Sequence, residues 1–77
     1  MDRAIRQIGE NVKRRRQELD VSQRDVAVLA GIDVSTLSRL ERGVENPTLQ
    51  TMLSLAVTLE CELPELLRGV QSAVAAD

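Results

Sequence analysis

Residues 22–43 constrain this chain more tightly than any other stretch. They read as two short helices, 23–30 and 34–42, hinged at Gly31. Ala27 stands where the two helices cross, a place that takes only a small side chain. Gly31 stands where the chain must turn sharply, and glycine enters positive φ without a steric penalty. Ile32, Leu37 and Leu40 then turn one face of the second helix inward.

The flanking sequence extends this helical pattern. Ile5, Ile8, Val12 and Leu19 recur at spacings of three, four and seven, which predicts a first helix over residues 3–19. Asp20 ends it, since aspartate tolerates the left-handed conformation better than most residues. Ser22 caps the next helix, Asp25 approximates a capping box, and Val21 with Val26 forms a hydrophobic staple. Asp33 caps the helix after the hinge and Gly43 stops it. Residues 44–47 form a loop ending in Pro47. Thr48 caps a fourth helix, which turns Leu49, Met52, Leu53, Ala56 and Leu59 inward and runs to about residue 59. Glu60 to Glu62 turns the chain. Leu63 to Leu67 is a short fifth helix that tolerates Pro64 in its first turn. Beyond Gly69, Val70 and Val74 extend a helix or fray. The expected architecture is all-α, a compact five-helix bundle. A domain over residues 1–68 is followed by a tail over 69–77, either a helical extension or disordered.

Composition excludes several classes of function. At 77 residues the chain makes one small domain with a modest core. It has no Phe, Tyr or Trp, so it offers no platform for stacking unpaired bases. It has no histidine, the commonest metal ligand and general base. Its one cysteine, Cys61, forms neither an internal disulfide nor a multi-cysteine zinc site, and reads as a small core residue. No metal, no cofactor and no enzymatic activity are expected. No apolar run approaches membrane-spanning length and no signal-peptide pattern opens the chain, so the expectation is a cytoplasmic protein without a membrane partner. The net charge of −2 is unevenly spread. Residues 1–43 carry nine basic and seven acidic side chains, whereas residues 44–77 carry one basic and five acidic. The basic charge therefore lies in the half that holds the hinged helices.

A hinged pair of this kind reads as a helix-turn-helix unit, whose second helix would enter the major groove of DNA. Over residues 8–67 the chain resembles the phage-repressor class of these proteins, the lambda-repressor/Cro-like or XRE-type family. The marks are Ile8-Gly9 and Arg16, Ser22-Gln23, Ala27, Gly31-Ile32 and Leu37. They continue through Leu40-Glu41-Arg42-Gly43, Pro47 and Leu66-Leu67. Each is weak alone, and their order and spacing together are specific. The resemblance implies a lambda-repressor-like five-helix domain that binds operator DNA as a homodimer. The chain departs from the family at Arg15, where an apolar residue is usual. It also departs at Asp20 and Glu60, where glycine is usual, and at Glu45, where the loop often carries a basic residue.

Functional residues follow by analogy with the family. Val34, Ser35, Thr36 and Arg39, at the start of the second hinged helix, would read bases. Arg39 suits the bidentate edge of guanine, Ser35 and Thr36 are short donor–acceptors, and Val34 suits a thymine methyl. Gln23, Ser38, Arg42 and Asn46 would contact phosphates, with Lys13 and Arg14 adding charge on that side. Arg16 and Glu41 would form a structural ion pair. Arg15 reads as a snorkelling side chain over the core. Leu63, Leu66, Leu67 and Val70 would form a dimer interface, placing two reading helices about 34–36 Å apart. The alternative for these leucines is the chain's own core. The expected function is a sequence-specific, double-stranded DNA-binding transcriptional regulator acting as a homodimer on a palindromic operator. The competing expectation, favoured by the acidic C-terminal third, is an antitoxin or other module whose main partner is a protein.

Overall fold

A computed structural model describes residues 2–76. The helices are α1 (Asp2–Glu18), α2 (Gln23–Ala30), α3 (Val34–Glu41), α4 (Leu49–Thr58), α5 (Leu63–Leu66) and α6 (Val70–Ala75). The first four end in the same closure. After α1, the Val21 amide donates to the Arg16 carbonyl at 3.3 Å and the Asp20 amide to the Gln17 carbonyl at 3.0 Å. The same two bonds recur from Ile32 to Ala27 and Gly31 to Val28, from Val44 to Arg39 and Gly43 to Leu40, and from Cys61 to Ala56 and Glu60 to Val57. They satisfy carbonyls that a helix end leaves without partners. The pivot is left-handed each time, with φ of 56° at Asp20, 73° at Gly31, 78° at Gly43 and 56° at Glu60. Glycine takes this conformation freely, whereas an L-residue there costs roughly 1–2 kcal/mol. Asp20 and Glu60 carry that cost. Three of the residues after a pivot, Val21, Ile32 and Cys61, pack against the core.

Helix starts are set by short side chains. Ser22 Oγ accepts from the Asp25 amide at 3.0 Å, and Thr48 Oγ1 accepts from the Thr51 amide at 3.1 Å. Asp33 has the extended N-cap backbone, but its carboxylate makes no capping hydrogen bond. The expectation of a side-chain cap there is corrected.

The core is aliphatic. Val12, Val26, Leu37, Leu40, Leu55, Leu59 and Leu66 are fully buried, with Ala27 and Met52 beside them. Each such side chain contributes about 1.5–3 kcal/mol by leaving water. α1 packs on α3, α5 and α6, and α2 packs on α3 and α4. α1 comes so close to the end of α3 that a Cβ at Gly9 would strike the Leu40 carbonyl oxygen. α4 corrects one expectation. Its inward residues are Met52, Leu55, Ala56 and the following Leu59, while Leu49 and Leu53 face solvent. The buried stripe thus runs through Met52, Leu55, Ala56 and Leu59 at helical spacing, on the side of α4 that packs against α2 and α5.

Polar side chains tie the C-terminal helices to α1. Buried Asn11 donates to the carbonyls of Leu66 at 2.9 Å and Arg68 at 2.8 Å, and accepts from Gln7 and Arg14. Arg15 is more than a snorkelling stem. Its Nε donates to the Leu59 carbonyl at 2.9 Å and its Nη2 to the Glu60 carbonyl at 3.1 Å, sealing the end of α4. Residues 70–75 form α6 against α1.

Candidate nucleic-acid interface

α3 has one buried side and one open side. Leu37, Leu40 and Glu41, at helical spacing, point inward. Val34, Ser35 and Arg42 are exposed, and Thr36, Ser38 and Arg39 are half-buried along the opposite surface. The helix thus presents hydroxyls, one branched apolar side chain and two guanidinium groups. Asn46, in the loop that follows, is exposed as well.

The end of α3 is anchored by a charged network. Arg16 Nε donates to Glu41 Oε2 at 2.7 Å, Arg16 Nη2 to Glu41 Oε1 at 3.0 Å, and Arg16 Nη1 to the Val21 carbonyl at 2.9 Å. The Glu41 side chain is 2% exposed and that of Arg16 is 13% exposed, so water screens the pair weakly. The hydrogen bonds that Arg16 donates to Glu41 hold its pKa above the ordinary value, against the opposing effect of burial. Gln23, the first residue of α2, joins the network: its Nε2 donates to Glu41 Oε1 at 2.9 Å. One carboxylate therefore fixes α1, the start of α2 and the end of α3.

Arg39 has its own partners. Its Nε donates to Glu45 Oε1 at 2.9 Å, and its Nη2 lies 3.4 Å from Thr36 Oγ1. Sequence reasoning missed Glu45 as a partner. The available signal was Gly43, because a left-handed closure carries the following residues back over the last helical turn. Lys13 and Arg14 are exposed on α1, and Arg14 is bonded to Asn11.

The residues expected at a dimer contact are divided. Leu66 is 1% exposed and belongs to the chain's own core, so it is not available to a second copy. Leu63 also packs against that core, Val70 is half-buried, and Leu67 is 40% exposed. Larger exposed apolar side chains lie elsewhere: Leu29 on α2 and Leu53 and Val57 on α4 line one shallow groove.

Cys61 is half-buried. Burial first, and then the charge of Glu65, push its thiol pKa upward, which disfavours the thiolate and suits a packing role. No group of His, Cys, Asp and Glu among the described residues is arranged to hold a metal ion. No described helix is long and apolar enough to cross a membrane.

Known proteins share this arrangement. A helix-turn-helix family model matches residues 12–66. The HTH-type transcriptional regulator DdrOP3 of Deinococcus deserti is 44% identical over 62 residues, covering 80% of this chain and 48% of that protein. The HTH-type transcriptional regulator SlrR of Bacillus subtilis is 40% identical over 60 residues, covering 77% of this chain and 40% of that protein. The chain thus spans about half the length of these curated relatives or less. Among solved structures, the restriction-modification controller protein C.AhdI of Aeromonas hydrophila superposes with a TM-score of 0.79 at 34% identity. That match covers 80% of this chain and 94% of the controller protein. With its hinged α2–α3 pair, its anchored Glu41 and these relatives, the chain belongs to the XRE-type helix-turn-helix family.

Proposed function

We propose that the chain is a sequence-specific reader of double-stranded DNA that regulates transcription. The observation that carries this reading is the open side of α3, on a helix whose other side is locked by Leu37, Leu40 and Glu41. A rigid helix with a polar outer surface brings its side chains to base edges in a fixed register. Val34, Ser35, Thr36 and Arg39 face the bases, and Arg39 supplies the strongest discrimination. Ser38, Arg42 and Asn46 reach phosphates, and so does Gln23 at the start of α2, where free amides favour an anion. The reading unit comprises residues 1–68, with 69–77 as its extension. Two copies, in contact with each other through Leu63, Leu67 and Val70, bind a roughly palindromic operator, and the bound dimer acts by occupancy, without catalysis, in the cytoplasm.

The test is selection from a random double-stranded DNA library, with binding repeated across salt concentrations. The expected result is an enriched inverted repeat with half-sites about one helical turn apart. Retention that is purely salt-sensitive, with no enriched sequence, would overturn the reading.

A second reading is a module whose main partner is another protein. The groove lined by Leu29, Leu53 and Val57 favours it, because it leaves large apolar side chains uncovered beside the acidic C-terminal third. Failure of the DNA selection shifts the weight to this reading.

A further inference from the structure

Glu45 lies in the loop that follows α3, and its carboxylate is engaged by Arg39. The contact runs from Arg39 Nε to Glu45 Oε1 at 2.9 Å. Backbone geometry makes it possible. Gly43 takes φ 78°, and the Val44 amide bonds back to the carbonyl of Arg39 itself at 3.0 Å. The chain doubles over the last turn of α3, and the residue after Val44 comes level with the Arg39 side chain. Thr36 Oγ1, 3.4 Å from Arg39 Nη2, flanks the guanidinium from the preceding turn.

The pair is open to water, with the two side chains 44% and 34% exposed. So exposed an ion pair adds little to folding stability. Its consequence is geometric. A guanidinium presents two edges that form paired hydrogen bonds, Nε with Nη2 and Nη1 with Nη2. Glu45 occupies Nε and Thr36 Oγ1 accepts from one hydrogen of Nη2, which leaves Nη1 and the second Nη2 hydrogen for an outside acceptor pair. A carboxylate beside the guanidinium also repels phosphates, where an arginine binds tightly without reading sequence.

We propose that Glu45 is a specificity-determining positioning residue: it holds Arg39 so that the Nη1–Nη2 edge meets guanine O6 and N7, and it disfavours capture of Arg39 by the DNA backbone. The inference rests on the reading of α3 as the base-reading helix. Glu45 touches no base; it acts through Arg39.

The test uses the full chain and the operator selected by the wild-type protein. Binding is measured for wild type, Glu45→Ala, Glu45→Gln, Arg39→Ala and the Arg39→Ala/Glu45→Ala double variant. The duplexes are the operator, every single-base variant of one half-site, and an unrelated sequence. Glu45→Ala is expected to leave thermal unfolding unchanged, to bind the unrelated duplex more tightly, and to lose about three- to tenfold of base preference at one position. Glu45→Gln, which keeps an acceptor but drops the charge, recovers part of that base preference and none of the discrimination against the unrelated duplex. Glu45→Ala adds no further change at that position once Arg39 is alanine. An unaltered profile in Glu45→Ala, an equal loss at every position, or an undiminished effect in the Arg39→Ala background would overturn the inference. If the wild type selects an operator and Glu45→Ala reads it unaltered, the inference alone fails. If the wild type selects none, the DNA-reading assignment fails and the inference goes with it.

Discussion

Arg16 and Glu41 meet through two parallel hydrogen bonds, Nε to Oε2 at 2.7 Å and Nη2 to Oε1 at 3.0 Å, and so bolt the first helix to the end of the third. The arrangement is bidentate and largely sealed from water. A pair of this kind sets geometry more than it adds net stability, because desolvation offsets much of the attraction. Removing one partner is a different matter, since the other remains buried and charged.

Arg16→Ala should therefore cost about 3–5 kcal/mol of folding stability. Chemical denaturation of the variant checks this. Unchanged stability with weaker binding to every duplex would show that Arg16 serves DNA rather than the fold.

The left-handed pivots predict opposite signs at different positions. Asp20→Gly and Glu60→Gly should each stabilise by roughly 0.5–1 kcal/mol, relief of backbone strain outweighing the added freedom of the unfolded chain. Gly31→Ala should destabilise by about 1 kcal/mol. Apart from the adjacent residues, no atom lies within 4 Å of where a Cβ at Gly31 would stand, so its cost reports φ alone. Melting temperatures of the three variants settle the signs. Destabilisation by both glycine substitutions would contradict the strain account.

The rotation of α4 can be tested by truncating neighbours. Leu55 is fully buried and Leu53 faces solvent. Leu55→Ala should cost about 2–5 kcal/mol, whereas Leu53→Ala should stay within about 0.5 kcal/mol. Equal losses would mean that α4 sits in a different register, or that Leu53 is covered by a second molecule.

Arg39→Ala should relax base preference at one position per half-site, by about 1–3 kcal/mol of discrimination. Gln23→Ala should weaken all sequences alike and leave the salt dependence nearly unchanged, because a neutral amide displaces no counterion from the phosphates. Binding isotherms on operator variants separate the two. A uniform loss in Arg39→Ala would remove it from the base-reading set.

Much of the fold was legible because its signals are local. Ser22 and Thr48 cap amides three residues away, and Gly31 and Gly43 close helices through bonds spanning three and five residues. Such contacts form within one turn of chain, so residue type and spacing suffice to place them. Asp33 differs: its backbone takes the expected N-cap conformation, but its carboxylate makes no capping hydrogen bond.

The sequence by itself determined an all-α chain, the hinge at Gly31, and the open side of α3 that Leu37 and Leu40 leave by facing inward. Only the tertiary structure decided which leucines of α4 are buried and that Leu66 belongs to the core. It also decided that Arg15 seals the end of α4, that Gln23 shares Glu41 with Arg16, and that Glu45 holds Arg39. Every leucine has the same affinity for a core, and every arginine suits several carbonyls and carboxylates. The choice among them depends on which groups other helices bring within about 3 Å, a distance set by packing and not by neighbours along the chain.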